Sequence, residues 1–113
     1  MSSKDEKIAL YREFVTSHKL TLDDELLVKV TTGLGPSIYN KNSELIACSQ
    51  ATELETVREN FLKKKLGLTD SDSELDQAIE DVCQEIGSSV KNKYRAVFYT
   101  LLVTKFNKQS VYA

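Results

Sequence analysis

Proline occurs once in this chain, at Pro36, histidine once, at His18, and tryptophan nowhere. Glycine is almost as scarce: there are four in 113 residues, and Gly33 and Gly35 adjoin the proline in TTGLGPSIYN, residues 31–40. So few breakers exclude a Pro- or Gly-rich linker and low-complexity disorder. One histidine and two cysteines, Cys48 and Cys83, without CxxC spacing, form no metal-ligand pattern. No metal or other cofactor is expected. The two thiols, set among apolar neighbours, read as reduced core residues. A dominant charge is missing too: the net charge is −2, which supplies no field toward nucleic acid or anionic lipid. The longest apolar run, AVFYTLLV at 96–103, is interrupted by Thr100 and falls far short of the about 20 residues that span a bilayer. The opening MSSKDEKIALYREF lacks the apolar core of a secretory signal. The expectation is a soluble, cytoplasmic protein with one helical domain over residues 1–113.

What is present is helical periodicity nearly throughout. Ser3 and Glu6 form a capping-box pattern ahead of Ile8, Leu10, Tyr11, Phe14 and Val15, which predicts a helix over 4–18. Thr21 with Asp24 predicts a second start, with Leu26, Leu27 and Val30 on its apolar face and Gly33 or Gly35 as its stop. A third helix over 50–66, capped by Ser49 or Thr52, buries Leu54, Val57, Phe61 and Leu62 and ends at Gly67. A fourth over 73–86, capped by Ser73, carries Leu75, Ala78, Ile79, Val82 and Ile86 on one stripe. The last is predicted over 89–107. YRAVFYTLLV within it is β-branched and aromatic enough to read as a strand, and the unbroken length decides for helix. Apolar residues around much of its girth place it in the middle of the molecule. The fold class is all-α, a compact bundle of about five helices.

The glycine-rich joint has an echo: LGPSIYNK at 34–41 resembles IGSSVKNK at 86–93. Both follow an amphipathic helix, so a two-fold pseudo-repeat of helix-turn-helix halves would account for them. The joint is not a phosphate loop. That loop needs GxxxxGK[ST] between strand and helix, and TGLGPSIYNK has another spacing and follows a helix. DSDSELDQAIED at 70–81 is not a calcium loop either, because Leu75 stands where the sharp turn requires glycine.

Charge is segregated along the chain. Residues 69–85 hold seven acids and no base, and residues 86–113 hold five bases and no acid. Complementary pairing between neighbouring helices explains this without a ligand. The alternative is a basic patch, KNKYR, in which Lys91, Lys93 and Arg95, with Lys41 nearby, would contact phosphates and Tyr94 would stack on a base. A third reading places a polar pocket for a small molecule or an enzyme's substrate near Ser37, Tyr39, Asn40 and Asn92.

TTGLGPSIYNKNSELIACS, ENFLKKKLGL and NKYRAVFYTLLVTKFNK together resemble a small bacterial family described as a domain of unknown function, number 2853. The resemblance runs over nearly the whole chain. It implies a bacterial, single-domain, cytosolic protein and carries no activity or catalytic residue. The leading expectation is a non-enzymatic binding or protein-interaction module, with a protein partner or a second copy of the chain as its ligand. Nucleic-acid binding through Lys41, Lys91, Lys93 and Arg95 is the alternative, and the Asn40 and Asn92 pocket the second alternative. No catalytic residue is assigned, and the balance leans against an enzyme.

Overall fold

Eight consecutive residues, Ala96 through Val103, are all buried. A helix buried all round has to lie in the middle of its neighbours, and the fold is arranged accordingly. The computed structural model describes residues 3–91 and 93–112. Its elements, in chain order, are α1 (Lys4–Ser17), α2 (Asp24–Leu34), a 3-10 turn (Gly35–Tyr39), α3 (Lys41–Glu44), β1 (Leu45–Ile46), α4 (Ala51–Thr56), a π-helical continuation (Val57–Lys65), α5 (Asp72–Ile86), β2 (Lys93–Tyr94), α6 (Arg95–Lys105) and a closing 3-10 turn (Gln109–Tyr112). The all-α reading holds, with six α-helices among the described residues and two very short strands. α6 packs against α1, α2, α3, α5 and both strands. No helix among the described residues is long and apolar enough to cross a membrane.

α1, α2, α3 and α5 start on side-chain caps, whereas α4, expected to be capped by Ser49 or Thr52, follows Gln50 without a side-chain cap, and α6 has none either. Ser3 and Glu6 make the predicted reciprocal box. α2 is capped by Asp23 instead of Thr21: its carboxylate accepts from the amides of Glu25 at 2.9 Å and Leu26 at 3.3 Å. An ionised acceptor at the positive end of a helix outcompetes a hydroxyl two residues away. α5 is capped by Ser71, whose Oγ accepts from the Glu74 amide at 3.2 Å, and not by Ser73. Ser71 and Glu74 have the capping-box spacing, so the helix starts one register earlier.

Two other boundaries differ from the sequence reading. The last helix begins at Arg95, not at residue 89, because Lys93 and Tyr94 pair antiparallel with Ile46 and Leu45. Tertiary pairing overrides the local helical spacing here. The two similar joints also part company. Gly35 (φ 60°, ψ −137°) leads into a 3-10 turn, whereas Gly87 (φ 125°, ψ 126°) leads into a turn running toward β2. Among the described residues, the echo between 34–41 and 86–93 is one of sequence and not of backbone path.

The π-helical stretch has a visible cause. Val57, Phe61, Leu62 and Leu66 are buried, at offsets of 4, 5 and 9 from the first. At about 100° per residue an α-helix would spread them over roughly half its circumference. Hydrogen bonds reaching back five residues widen the turn and gather them on one stripe. The end is closed by Gly67 at φ 69° and by the Leu68 amide donating to the Leu62 carbonyl at 3.0 Å.

The cysteines correct the expectation of reduced thiols. Cys48, in the segment after β1, and Cys83, on the buried face of α5, form a disulfide with their Cα atoms 6.2 Å apart. A separation of 35 residues hides such a pairing from any spacing rule, because helix packing alone brings the two together. A loop of that length lowers the entropy of the unfolded chain enough to stabilise the fold by about 3–4 kcal/mol.

The central position of α6 sets the stability expected of point variants. Leu102→Ala, at a fully buried site, should destabilise by about 2–5 kcal/mol. Leu10→Ala, at an exposed site, should stay within about 0.5 kcal/mol. Urea unfolding of the two oxidised proteins checks both.

Candidate functional site

The short β1–β2 pairing brings the segment after α3 alongside the start of α6, and Arg95 fastens it there. Arg95 Nε donates to the Ser43 carbonyl at 2.6 Å, Nη1 to the Tyr99 hydroxyl at 2.8 Å, and Nη2 to the Leu45 carbonyl at 3.4 Å. Nη2 also pairs with the Glu53 carboxylate of α4. Tyr99 in turn stacks on Phe61, with centroids 3.7 Å apart and planes 11° from parallel. One guanidinium therefore ties α3, β1, α4 and α6 together, using the planar fork that a lysine lacks.

Lys93, one residue before Tyr94 on β2, is only 2% exposed. Its ammonium donates to the Val90 carbonyl and makes no ion pair among the described residues. Burial pushes it below the ordinary lysine value, partly offset by Glu80.

Two clefts open on either side of the 47–50 segment. One, of about 400 Å³, is lined by Lys41, Asn42, Leu45, Gln50, Thr52 and Glu53. The other, of about 540 Å³, is lined by Cys48, Ser49, Ser88, Val90, Lys91 and Lys93. Ala47 and Gln50 border both. The rim is amide, hydroxyl and ammonium, and its one carboxylate, Glu53, is already engaged by Arg95. Such a lining can accept anionic and hydrogen-bonding groups. It offers no nucleophile paired with a base.

Of the residues singled out from sequence, Lys41, Lys91 and Lys93 border these clefts. Lys41 and Lys91 are exposed, whereas Lys93 and Arg95 spend their donors inside the protein. Tyr94 packs on Tyr11 and Phe14 instead of presenting a free face. Asn40 caps α3, its side chain accepting from the Asn42 amide at 2.9 Å. Ser37 bonds the Leu34 carbonyl, and neither residue lines either cleft. Asn92 lies outside the described residues. Sequence reasoning missed Ser49, Gln50 and Ser88, because nothing in a helical pattern marks which polar turn residues will face one another.

Below the clefts a second polar group fixes α3 to α1. Glu44, 8% exposed, accepts from the Tyr11 hydroxyl at 2.7 Å and from Lys7 Nζ at 3.0 Å. Burial, reinforced by the Glu44 carboxylate, pushes the Tyr11 phenol above its ordinary value near 10. Burial also raises Tyr99, against the opposing Arg95, and pushes Tyr112 up to about 12.

Two expectations follow from these contacts. Arg95→Met should destabilise by about 2–4 kcal/mol, because it leaves two carbonyls and a carboxylate short of donors. Arg95→Lys should restore the charge but not the fork, and recover only part of that loss in urea unfolding. On the alkaline side, the unfolded chain ionises Tyr11, Tyr99 and Tyr112 near pH 10 while the folded chain still holds those three protons. The unfolded state then binds fewer protons, so stability is intact below pH 10 and falls as pH rises toward about 12. Denaturation midpoints across that range should drop, and Tyr112→Phe should lessen the drop.

No curated protein matches this sequence. A family model described as "Protein of unknown function (DUF2853)" matches residues 11–110, nearly the whole chain. The resemblance carried by the joint and by the central helix is thereby established, and the chain belongs to the DUF2853 family.

Proposed function

We propose that the protein is a non-enzymatic binding module that takes an extended acidic segment of a protein partner across the two clefts flanking residues 47–50. The observation that carries this reading is their shared border at Ala47 and Gln50, with the exposed Lys41 lining one cleft and the exposed Lys91 the other. Two adjoining recesses suit a ligand that lies along a surface better than one that fills a single deep cavity. The polar turn residues supply hydrogen bonds for a peptide backbone. A cytosolic, bacterial setting belongs to the same reading and rests on the family resemblance alone.

Two competing readings have less behind them. Nucleic acid would find Lys41 and Lys91 free, but Lys93 and Arg95 are turned inward. A homodimer would need a continuous apolar patch. The exposed large apolar side chains among the described residues, Leu10, Tyr39 and Val111, sit on three different elements.

Amide chemical shifts of the isotope-labelled protein, titrated with a short polyglutamate peptide at low salt, test the proposal. Shifts confined to residues 41–53 and 88–91, weakened by salt and lost in the Lys41→Ala/Lys91→Ala pair, are expected. No localised shift at low salt, or a response to an oligothymidylate alone, would overturn it.

A further inference from the structure

The disulfide lies at the border of the larger cleft, and its two sulfurs are unequal. Cys48 is half-buried and lines the cleft beside Lys91 and Lys93. Cys83 is 3% exposed, on the inward face of α5. A nucleophile entering from solvent therefore meets Cys48. Lys93 borders the same cleft, its ammonium bonded to the Val90 carbonyl and without an ion pair among the described residues. Buried cations beside a cysteine stabilise its thiolate, and stabilising the reduced form makes a disulfide easier to open.

We propose that Cys48–Cys83 is a thiol-exchange site, opened from the larger cleft by a dithiol reductant, with Lys93 positioned to hold the Cys48 thiolate that results. In the first step a thiolate of the dithiol attacks Cys48 Sγ. The Cys48–Cys83 bond breaks, and Cys83 leaves with the electron pair and takes a proton from solvent. In the second step the other thiol of the reductant gives up its proton and attacks its own sulfur in the mixed disulfide. The reductant becomes a cyclic disulfide, and Cys48 is released as a thiolate. The dithiol is oxidised by two electrons and the protein disulfide is reduced by two; counted from the neutral dithiol, two protons leave its sulfurs and Cys83 takes up one, so one net proton passes to solvent. Opening the bond unties the 47–50 segment from α5. This inference stands on the cleft and the disulfide and does not depend on any acidic partner.

The test uses the oxidised full chain and dithiothreitol, with alkylation quenching and mass detection. The expected rate is proportional to dithiothreitol and unchanged by low urea, and the product keeps its helical circular dichroism. A rate that levels off with dithiothreitol and climbs steeply with urea would mean that the bond opens only on unfolding, and would sink the proposal. In the reduced chain, the pH midpoint for iodoacetamide alkylation of Cys48 should lie below the about 8.5 of a free thiol. It should rise by roughly one pH unit in Lys93→Met. A midpoint indifferent to Lys93→Met overturns the role of that lysine, and the dithiothreitol kinetics of the unaltered chain decide the exchange site on their own.

Discussion

A single guanidinium, that of Arg95, stands where the two halves of the chain have to meet. Its neighbours in space come from residues 43, 45, 53 and 99. Without it, two carbonyls of the α3–β1 turn would be left facing an apolar helix. Buried carbonyls without donors are costly, so this turn can lie against α6 only because the helix begins with a residue carrying a fork of donors. The remaining packing around α6 is mainly apolar, and apolar contacts are not directional. The Arg95 contacts are what select one arrangement of the 41–53 segment over others.

Charge works differently along α5. The acidic stretch leading into and along α5 is met by bases from neighbouring elements. Arg58 contacts Asp76 at 2.9 Å and Asp72 at 3.9 Å, Lys63 contacts Asp72 at 2.6 Å, and Lys105 contacts Asp81 at 3.4 Å. The carboxylates of these pairs are about half exposed, and such ion pairs contribute little each to stability. Arg58 and Lys63 belong to the π-helical stretch and only Lys105 comes from the basic segment 86–113, so pairing between the two segregated stretches accounts for one of these contacts. Asp72, Asp76 and Asp81 are thus structural partners of the protein's own bases.

The helices were legible in proportion to how local their causes are. The Ser3 box, the α5 stripe and the apolar girth of α6 are written within a few residues, and all appear. Ser71 and Asp23 displaced the expected caps because several acceptors crowd each start, and only the backbone decides among them. Lys93 was read as a surface cation since nothing near it in sequence signals a strand partner 47 residues away, Ile46. The Cys48–Cys83 bond is hidden for the same reason. At the candidate site, the lysines could be named from sequence. Their division into exposed Lys41 and Lys91 and inward Lys93 and Arg95 is a product of tertiary pairing.

The π-helical stretch Val57–Lys65 bears on how this chain can change length. An α-helix that gains or loses one residue turns every later side chain by about 100°. A helix already wound five residues per hydrogen bond holds spare length in its backbone. Loss of one residue between 57 and 65 could be absorbed by tightening part of it to α, with the ends still joined. What would not survive is the placing of Phe61 flat against Tyr99, and through Tyr99 the seat of Arg95. In this region the chain's length, more than the identity of any exposed residue, is what sequence change has to respect.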